Sequence, residues 1–72
     1  MKKTYFNAYL VGRNIAFYRK KRGLTQDKLA FLLNTNRATI SKWERAVNVP
    51  STEMIFYISK VLNISVDILI GI

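Results

Sequence analysis

The stretch that most constrains the fold of this chain is residues 26–45, where apolar residues recur at helical spacing in two short runs. Leu29 and Leu33 share one face of the first run, and Ile40 and Trp43 share one face of the second. Asn34 lies between the runs, and asparagine is the residue other than glycine that most readily adopts the left-handed conformation of a sharp helix exit. The pattern predicts two short helices that cross at a tight turn and bury their apolar faces together.

The outward face of the second predicted helix carries no acidic residue. With Ile40 in the core, the outward arc and its edges hold Arg37, Ala38, Thr39, Ser41, Lys42 and Arg45. An ordinary solvated helix face usually mixes both signs of charge. Small residues, hydroxyls and long cations instead suit a helix that enters the DNA major groove, so we interpret the stretch as a helix-turn-helix.

Charge is distributed unevenly along the chain, whose formal net charge is +8 and whose pI is about 10.2. Residues 1–45 hold eleven Lys and Arg against Asp27 and Glu44, whereas residues 46–72 hold Lys60 against Glu53 and Asp67. A basic half that contains the helix-turn-helix indicates a polyanionic partner. DNA is favoured over a membrane surface because the cations do not lie on a strongly amphipathic interfacial helix.

The residue inventory limits the chemistry. The chain has no Cys and no His, so disulfides, thiol chemistry and the usual zinc ligands are excluded, and neither a metal nor a cofactor is expected. Its four carboxylates are each assigned to a helix start or an ion pair, and we therefore do not expect an enzyme. Asn7 and Arg13 interrupt the apolar run of a signal peptide, and no stretch approaches membrane-spanning length. A cytoplasmic protein is expected.

The motifs resemble those of a known family. Gly-Leu-Thr-Gln-Asp-Lys-Leu-Ala at 23–30, Asn-Arg-Ala-Thr-Ile-Ser-Lys-Trp-Glu-Arg at 36–45 and Pro-Ser at 50–51 occur together and in order. They are similar to the phage lambda repressor and Cro type of helix-turn-helix, also called the xenobiotic-response-element family. The chain departs from the family pattern at Asn34 and Ala46, where glycine is common. The resemblance implies an all-α fold, a compact five-helix lambda-repressor-like DNA-binding domain.

A single domain with five helices is expected, after a basic, aromatic lead-in. Apolar stripes and capping residues place the lead-in at 1–7 and the helices at 8–22, 26–33, 37–45, 52–62 and 66–71. The predicted N-caps of the last four helices are Thr25, Asn36, Ser51 and Ser65. An arm that reaches DNA through Lys2 and Lys3 is an open alternative for the lead-in.

The candidate DNA contacts form two groups. The residues predicted to read base edges are Arg37, Ala38, Ser41 and Lys42. The residues predicted to hold phosphates are Gln26, Asn36, Thr39, Arg45 and Asn48. Gln26 starts a helix, where a phosphate can be held, and the resemblance strengthens this assignment because the family's residue here touches the DNA backbone and braces the recognition helix.

The resemblance also implies an ion pair between Arg19 and Glu44. Arg19 lies on the core-facing side of the first predicted helix. The pair would be partly buried and would lock the first helix to the third.

Several large apolar residues point away from the predicted core: Phe17, Phe31, Phe56, Tyr57, Ile68 and Ile72. Ile68 and Ile72 are four residues apart and therefore share one outward face. With Phe56 and Tyr57 they form the predicted homodimer interface. In the family, dimers commonly form through this region, which places two recognition helices about one DNA turn apart.

The predicted function is sequence-specific binding to double-stranded DNA by a transcriptional regulator, as a dimeric repressor that reads a near-palindromic operator. The alternative is an antitoxin-type interaction module, in which the surplus apolar residues cover a protein partner and DNA binding autoregulates the operon.

Overall fold

The computed structural model describes residues 7–72, and these form the helices α1 (Ala8–Lys21), α2 (Gln26–Leu32), α3 (Arg37–Glu44), α4 (Thr52–Leu62) and α5 (Val66–Ile70). The predicted all-α, five-helix fold is confirmed. Of the predicted lead-in only Asn7 is described, and Lys2 and Lys3 lie outside the described residues. Each helix begins at a side chain that accepts hydrogen bonds from first-turn N–H groups, namely Asn7, Thr25, Asn36, Ser51 and Ser65.

The predicted helix ends need a small correction. The helices α1, α2, α3 and α5 end at Lys21, Leu32, Glu44 and Ile70, one residue before the predicted ends. The residues predicted to be last are the C-caps Arg22, Leu33, Arg45 and Gly71. After the caps of α1, α2 and α3, the next residue has positive φ and turns the chain away from the helix axis. In α5 the cap Gly71 itself has positive φ. Each C-cap is therefore only partly helical.

One face of every helix contributes to a single core. The buried apolar residues are Val11, Ile15, Leu29, Ala30, Leu33, Ile40, Trp43, Ile55, Ile58, Leu62 and Leu69. α3 packs against both α1 and α2, and α5 packs against α1 and α4. Within residues 7–72, no helix has the length and apolar character needed to cross a bilayer.

Side chains of α1 cap the ends of the two C-terminal helices. Asn14 Nδ2 donates to the main-chain carbonyls of Ile68 and Leu69, at 3.0 Å each, and Arg22 Nε donates to the carbonyl of Leu62 at 2.9 Å. The last carbonyls of a helix have no partner within the helix. The carbonyl of Ile68 also accepts from the main-chain N–H of Gly71 at 3.2 Å. The side-chain hydrogen bonds therefore add donors at the ends of α4 and α5 and link both helices to α1 and its C-cap.

Gly12 is the point of closest approach between α1 and the end of α3. It is buried, and a β-carbon at this position would overlap the main-chain carbonyl oxygen of Trp43 and lie 3.1 Å from that of Glu44. The absence of a side chain therefore lets the backbones of α1 and α3 meet.

Ala46, which follows α3, is expected to be a site where glycine stabilises the fold. Its φ is +60°, a conformation in which the β-carbon of an L-residue is strained. We expect Ala46→Gly to raise the free energy of unfolding in urea by about 0.5–1 kcal/mol. Asn34→Gly is the comparison, with a smaller expected gain because asparagine tolerates its φ of +57°. A loss of stability in Ala46→Gly would contradict the strained conformation.

Candidate nucleic-acid interface

The N-terminus of α3 is fixed by a side-chain cap made of two predicted phosphate contacts. Asn36 Oδ1 accepts from the main-chain N–H of Thr39 at 2.9 Å and from its hydroxyl at 3.0 Å. Ile40 and Trp43, on the opposite side, are buried in the core. α3 is therefore held at its first turn and along its inner face, so its outward face has a defined orientation.

The predicted base-reading residues share the outward side of α3. Arg37, Ala38 and Lys42 are exposed, and Ser41 is half-buried. Arg45 is exposed at the C-cap, where its Nε donates to Ser41 Oγ at 3.1 Å. This hydrogen bond brings one predicted phosphate contact beside one predicted base contact. Asn48, another predicted phosphate contact, is exposed in the loop between α3 and α4.

The acidic residue of α3 is turned inward, where it pairs with Arg19. Arg19 Nε lies 2.6 Å from Glu44 Oε2 and Nη2 lies 3.1 Å from Oε1, a bidentate arrangement in which both side chains are 9% exposed. Arg19 Nη1 also donates to the carbonyl of Leu24 at 2.8 Å. The pair joins α1 to α3 and keeps the carboxylate away from the outward face.

Gln26 connects this ion pair to Arg37. Its Nε2 donates to Glu44 Oε1 at 2.9 Å, and its Oε1 accepts from Arg37 Nε at 3.4 Å. A carboxylate can only accept and a guanidinium can only donate, so the two partners determine which way the amide points. The side chain of Gln26 thus braces α3. One Nε2 hydrogen is used in this brace, and the other has no acceptor among residues 7–72.

The predicted dimer residues are all exposed in the single chain. Phe56 is 51% exposed, Tyr57 49%, Ile68 46% and Ile72 79%. The first two lie on α4, while Ile68 lies on α5 and Ile72 follows it. These four exposed apolar side chains lie on and after the two C-terminal helices.

Gly12 and Asn14, which position α3 and α5, have no role in the sequence-based prediction, and Arg22 was predicted only as the last residue of the first helix. An isolated glycine within a helical pattern often has a packing reason, so Gly12 carried a detectable signal. The acceptors of Asn14 lie 54 and 55 residues further along the chain, and the acceptor of Arg22 lies 40 residues further. No local sequence pattern indicates hydrogen bonds between residues this far apart.

Taken together, α2 and α3 pack against each other and are joined by a turn in which Asn34 has positive φ, and α3 presents a carboxylate-free face whose orientation is set by a buried ion pair. These features define a helix-turn-helix DNA-binding domain of the lambda-repressor type. A family model described as "Helix-turn-helix" matches residues 15–69, and the chain belongs to this family of DNA-binding transcriptional regulators.

Two curated proteins with similar sequences are named as a transcriptional regulator and a repressor. The chain is 33% identical over 61 residues to the HTH-type transcriptional regulator ImmR of Bacillus subtilis (strain 168). The aligned residues cover 85% of this chain and 48% of ImmR. It is 36% identical over 57 residues to the competence pilus inhibition repressor of Acinetobacter baylyi. This alignment covers 79% of this chain and 52% of that protein. The chain therefore spans about half the length of these curated relatives.

A solved structure with a similar fold is the P22 c2 repressor protein in complex with a synthetic operator. The TM-score is 0.80 and the sequence identity is 33%, with 85% of this chain and 92% of that chain covered. The lambda-repressor-like fold implied by the sequence resemblance is confirmed.

Proposed function

We propose that this chain is a sequence-specific, double-stranded DNA-binding repressor that acts in the cytoplasm as a homodimer on a near-palindromic operator. The observation that carries the proposal is the outward face of α3, where small and basic residues are exposed and the only carboxylate of the helix is turned inward. The similarity to a repressor solved with its operator supports it.

Base reading is assigned to Arg37, Ala38, Ser41 and Lys42. The methyl group of Ala38 suits the C5-methyl of thymine, and Arg37 or Lys42 suits the acceptors O6 and N7 of guanine. The Gln26 brace restricts the directions in which Arg37 can point. The side chain is therefore partly preorganised for one base position, which lowers the entropy cost of binding.

Phosphate binding is assigned to a ring of residues around α3: Gln26, Asn36, Thr39, Arg45 and Asn48. These residues lie at the start of α2, at both ends of α3 and in the loop after it. Contacts of this kind set the register of the helix in the groove without reading sequence.

Replacing Arg37 and replacing Arg45 are expected to give different binding defects. Arg37→Ala should relax specificity at one base pair by about 1–3 kcal/mol, because a base contact discriminates between sequences. Arg45→Ala should weaken all sequences alike and reduce the slope of log K against log salt by about one unit, because a phosphate contact releases counterions. Anisotropy titrations of an operator and its single-base variants would measure both, with Lys60→Ala on α4 as the control. A uniform loss in Arg37→Ala would contradict its base-reading role.

The proposal is tested first by selecting binding sites from random duplex DNA with the purified protein at physiological salt. Recovery of an inverted repeat is the expected result, because a twofold dimer presents two recognition helices to two half-sites. Recovery of a single half-site would overturn the dimer. The absence of enrichment would overturn sequence-specific recognition.

The dimer interface is tested by placing charges on the exposed C-terminal face. Ile68→Asp combined with Ile72→Asp is expected to give a monomer by sedimentation equilibrium, since an interface cannot bury unpaired carboxylates. Phe17→Asp combined with Phe31→Asp, at other exposed positions, is the matched control and should remain dimeric. A wild-type monomer at concentrations that bind operator, or a dimer in the Ile68 and Ile72 variant, would contradict the assignment.

A second candidate is the antitoxin-type interaction module. It is favoured by Phe31, which is 75% exposed on α2 and which the proposed dimer does not use. In this case a protein partner would cover the apolar surface of α2 and α4, and DNA binding would regulate the operon that encodes both proteins. Salt-sensitive DNA binding without site enrichment would favour this candidate over the free-standing repressor.

A further inference from the structure

The outward face of α1 is a second strongly basic surface. Arg13, Phe17, Lys20 and Lys21 are exposed there and, with Ala16, line a shallow depression. We refer to these four exposed residues as the α1 basic face. None of them has a role in the core or in the proposed operator contacts.

Among residues 7–72, the cations of this face form no salt bridge with an acidic side chain. The sequence of α1 contains no Asp or Glu, and the salt bridge found within the described residues is the one between Arg19 and Glu44. Asp67, on the adjacent helix α5, forms no salt bridge with the face. Lys21 Nζ lies 5.8 Å from the centroid of the Phe17 ring, a cation–π contact that leaves its N–H groups available. Three cations without a carboxylate make a field that attracts a polyanion.

The α1 basic face is turned away from α3. α1 contacts α3 through Gly12, whose missing β-carbon admits the end of α3, and through the ion pair of Arg19. Measured around the α1 axis from the side that holds Gly12 and Arg19, the four residues of the face lie between roughly 90° and 190°. DNA that occupies the outward side of α3 therefore leaves these cations uncovered.

The chemistry of the face fits the backbone of duplex DNA better than a membrane or a single strand. A membrane-binding helix needs a continuous outward apolar face, but Val11 and Ile15 are fully buried in the core. The exposed rings of α1, Tyr9 and Phe17, are separated by the cation Arg13. Single-strand binding relies on aromatic rings that stack on successive bases. Here the exposed rings of Tyr9 and Phe17 are separated by about 12 Å along the helix, which is too far for stacking on successive bases. The Phe17 ring also contacts Lys21 and Tyr18, with the Phe17 and Tyr18 ring centroids 4.9 Å apart.

We propose that the α1 basic face binds the phosphate backbone of a second DNA duplex, independently of sequence. One molecule then holds an operator at α3 and a non-operator duplex at α1. The contact is electrostatic, so it weakens steeply as salt is raised.

The test compares two variants that lose the same charge at different places. Arg13→Gln combined with Lys20→Gln removes two cations from the face. Lys28→Gln combined with Lys60→Gln is the matched control, because both lysines are exposed and lie over the rings of Phe31 and Phe56. Each protein is loaded on a bead-tethered random duplex, and the capture of a second, fluorescent random duplex is measured at physiological salt. Circular dichroism of both variants is the check that each one is folded.

Capture is expected to fall about tenfold in the Arg13 and Lys20 variant, because two phosphate contacts are lost, and to change little in the control. An equal fall in both variants would show a general effect of net charge and overturn the proposal. Unchanged capture in the Arg13 and Lys20 variant would also overturn the proposal. If that variant instead loses binding to phosphatidylserine vesicles, the face has a membrane partner. If it instead loses affinity for one long duplex, the face contacts DNA that flanks the operator. The assay uses random DNA, so it can fail independently of operator recognition.

Discussion

Gly12→Ala is expected to destabilise the protein by about 3 kcal/mol or more, because the new β-carbon would overlap the main chain of α3. A main-chain carbonyl cannot move aside as a flexible side chain can, so α1 and the end of α3 would have to separate. A single core in a chain this short supplies only about 3–5 kcal/mol. The variant should therefore be largely unfolded at 37 °C, and urea denaturation followed by circular dichroism would measure the loss.

The sign of the effect makes this a sharp test. In an exposed helix, alanine is about 1 kcal/mol more stabilising than glycine, so a gain in stability would contradict the close approach of α1 and α3. Arg13→Ala is the control at the adjacent exposed position and should change stability by less than about 0.5 kcal/mol.

Glu44→Ala is expected to cost about 3–5 kcal/mol, since it leaves the buried guanidinium of Arg19 without its counter-charge. It also removes the acceptor of Gln26 Nε2, so the brace of Arg37 is lost with it. Glu53→Ala is the control, because Glu53 is exposed in the first turn of α4 and contributes only about 0.3–1 kcal/mol through the helix dipole. Equal and small losses in the two variants would place the Arg19–Glu44 pair in an effectively solvated environment.

A double-mutant cycle separates the lone-charge penalty from the net contribution of the pair. The cycle uses Arg19→Met, Glu44→Leu and their combination. The combination should lose less stability than Glu44→Leu alone, because no buried charge is left without a partner. If the double variant instead loses the sum of the two single losses, the residues do not interact. The free energies of unfolding in the cycle are obtained from urea midpoints, provided that the slope of the free energy against urea concentration is the same for all variants.

The brace from Arg19 through Glu44 and Gln26 to Arg37 connects the stability of the fold to the proposed base reading. Glu44→Ala and Glu53→Ala are therefore expected to differ in DNA binding among the molecules that remain folded. Glu44→Ala frees Gln26 and Arg37, whereas Glu53→Ala, in the first turn of α4, leaves both in place.

The features that the sequence alone predicted correctly depend on near neighbours. The N-caps Thr25, Asn36, Ser51 and Ser65, the left-handed Asn34 and the apolar stripes of the helices depend on residues within about four positions, and these local interactions are visible as spacing. The outward arc of α3 followed from the same periodicity once Ile40 was placed in the core. The predicted ends of α1, α2, α3 and α5 were one residue too long, because spacing does not distinguish a C-cap from a last helical residue.

The Arg19–Glu44 partnership came from the family resemblance and not from spacing, since the two residues are 25 positions apart. The roles of Gly12, Asn14 and Arg22 became visible only in the tertiary structure, where their partners lie more than one helix away along the chain. The orientation of the Gln26 amide was likewise decided by Glu44 and Arg37, which reach it only after α3 has packed.

Sequence by itself determined the helices, their caps and the chemistry of their outward faces, because these depend on neighbouring residues. How closely the helices approach and which polar groups meet were decided by the tertiary structure, because these contacts form between residues distant in the chain.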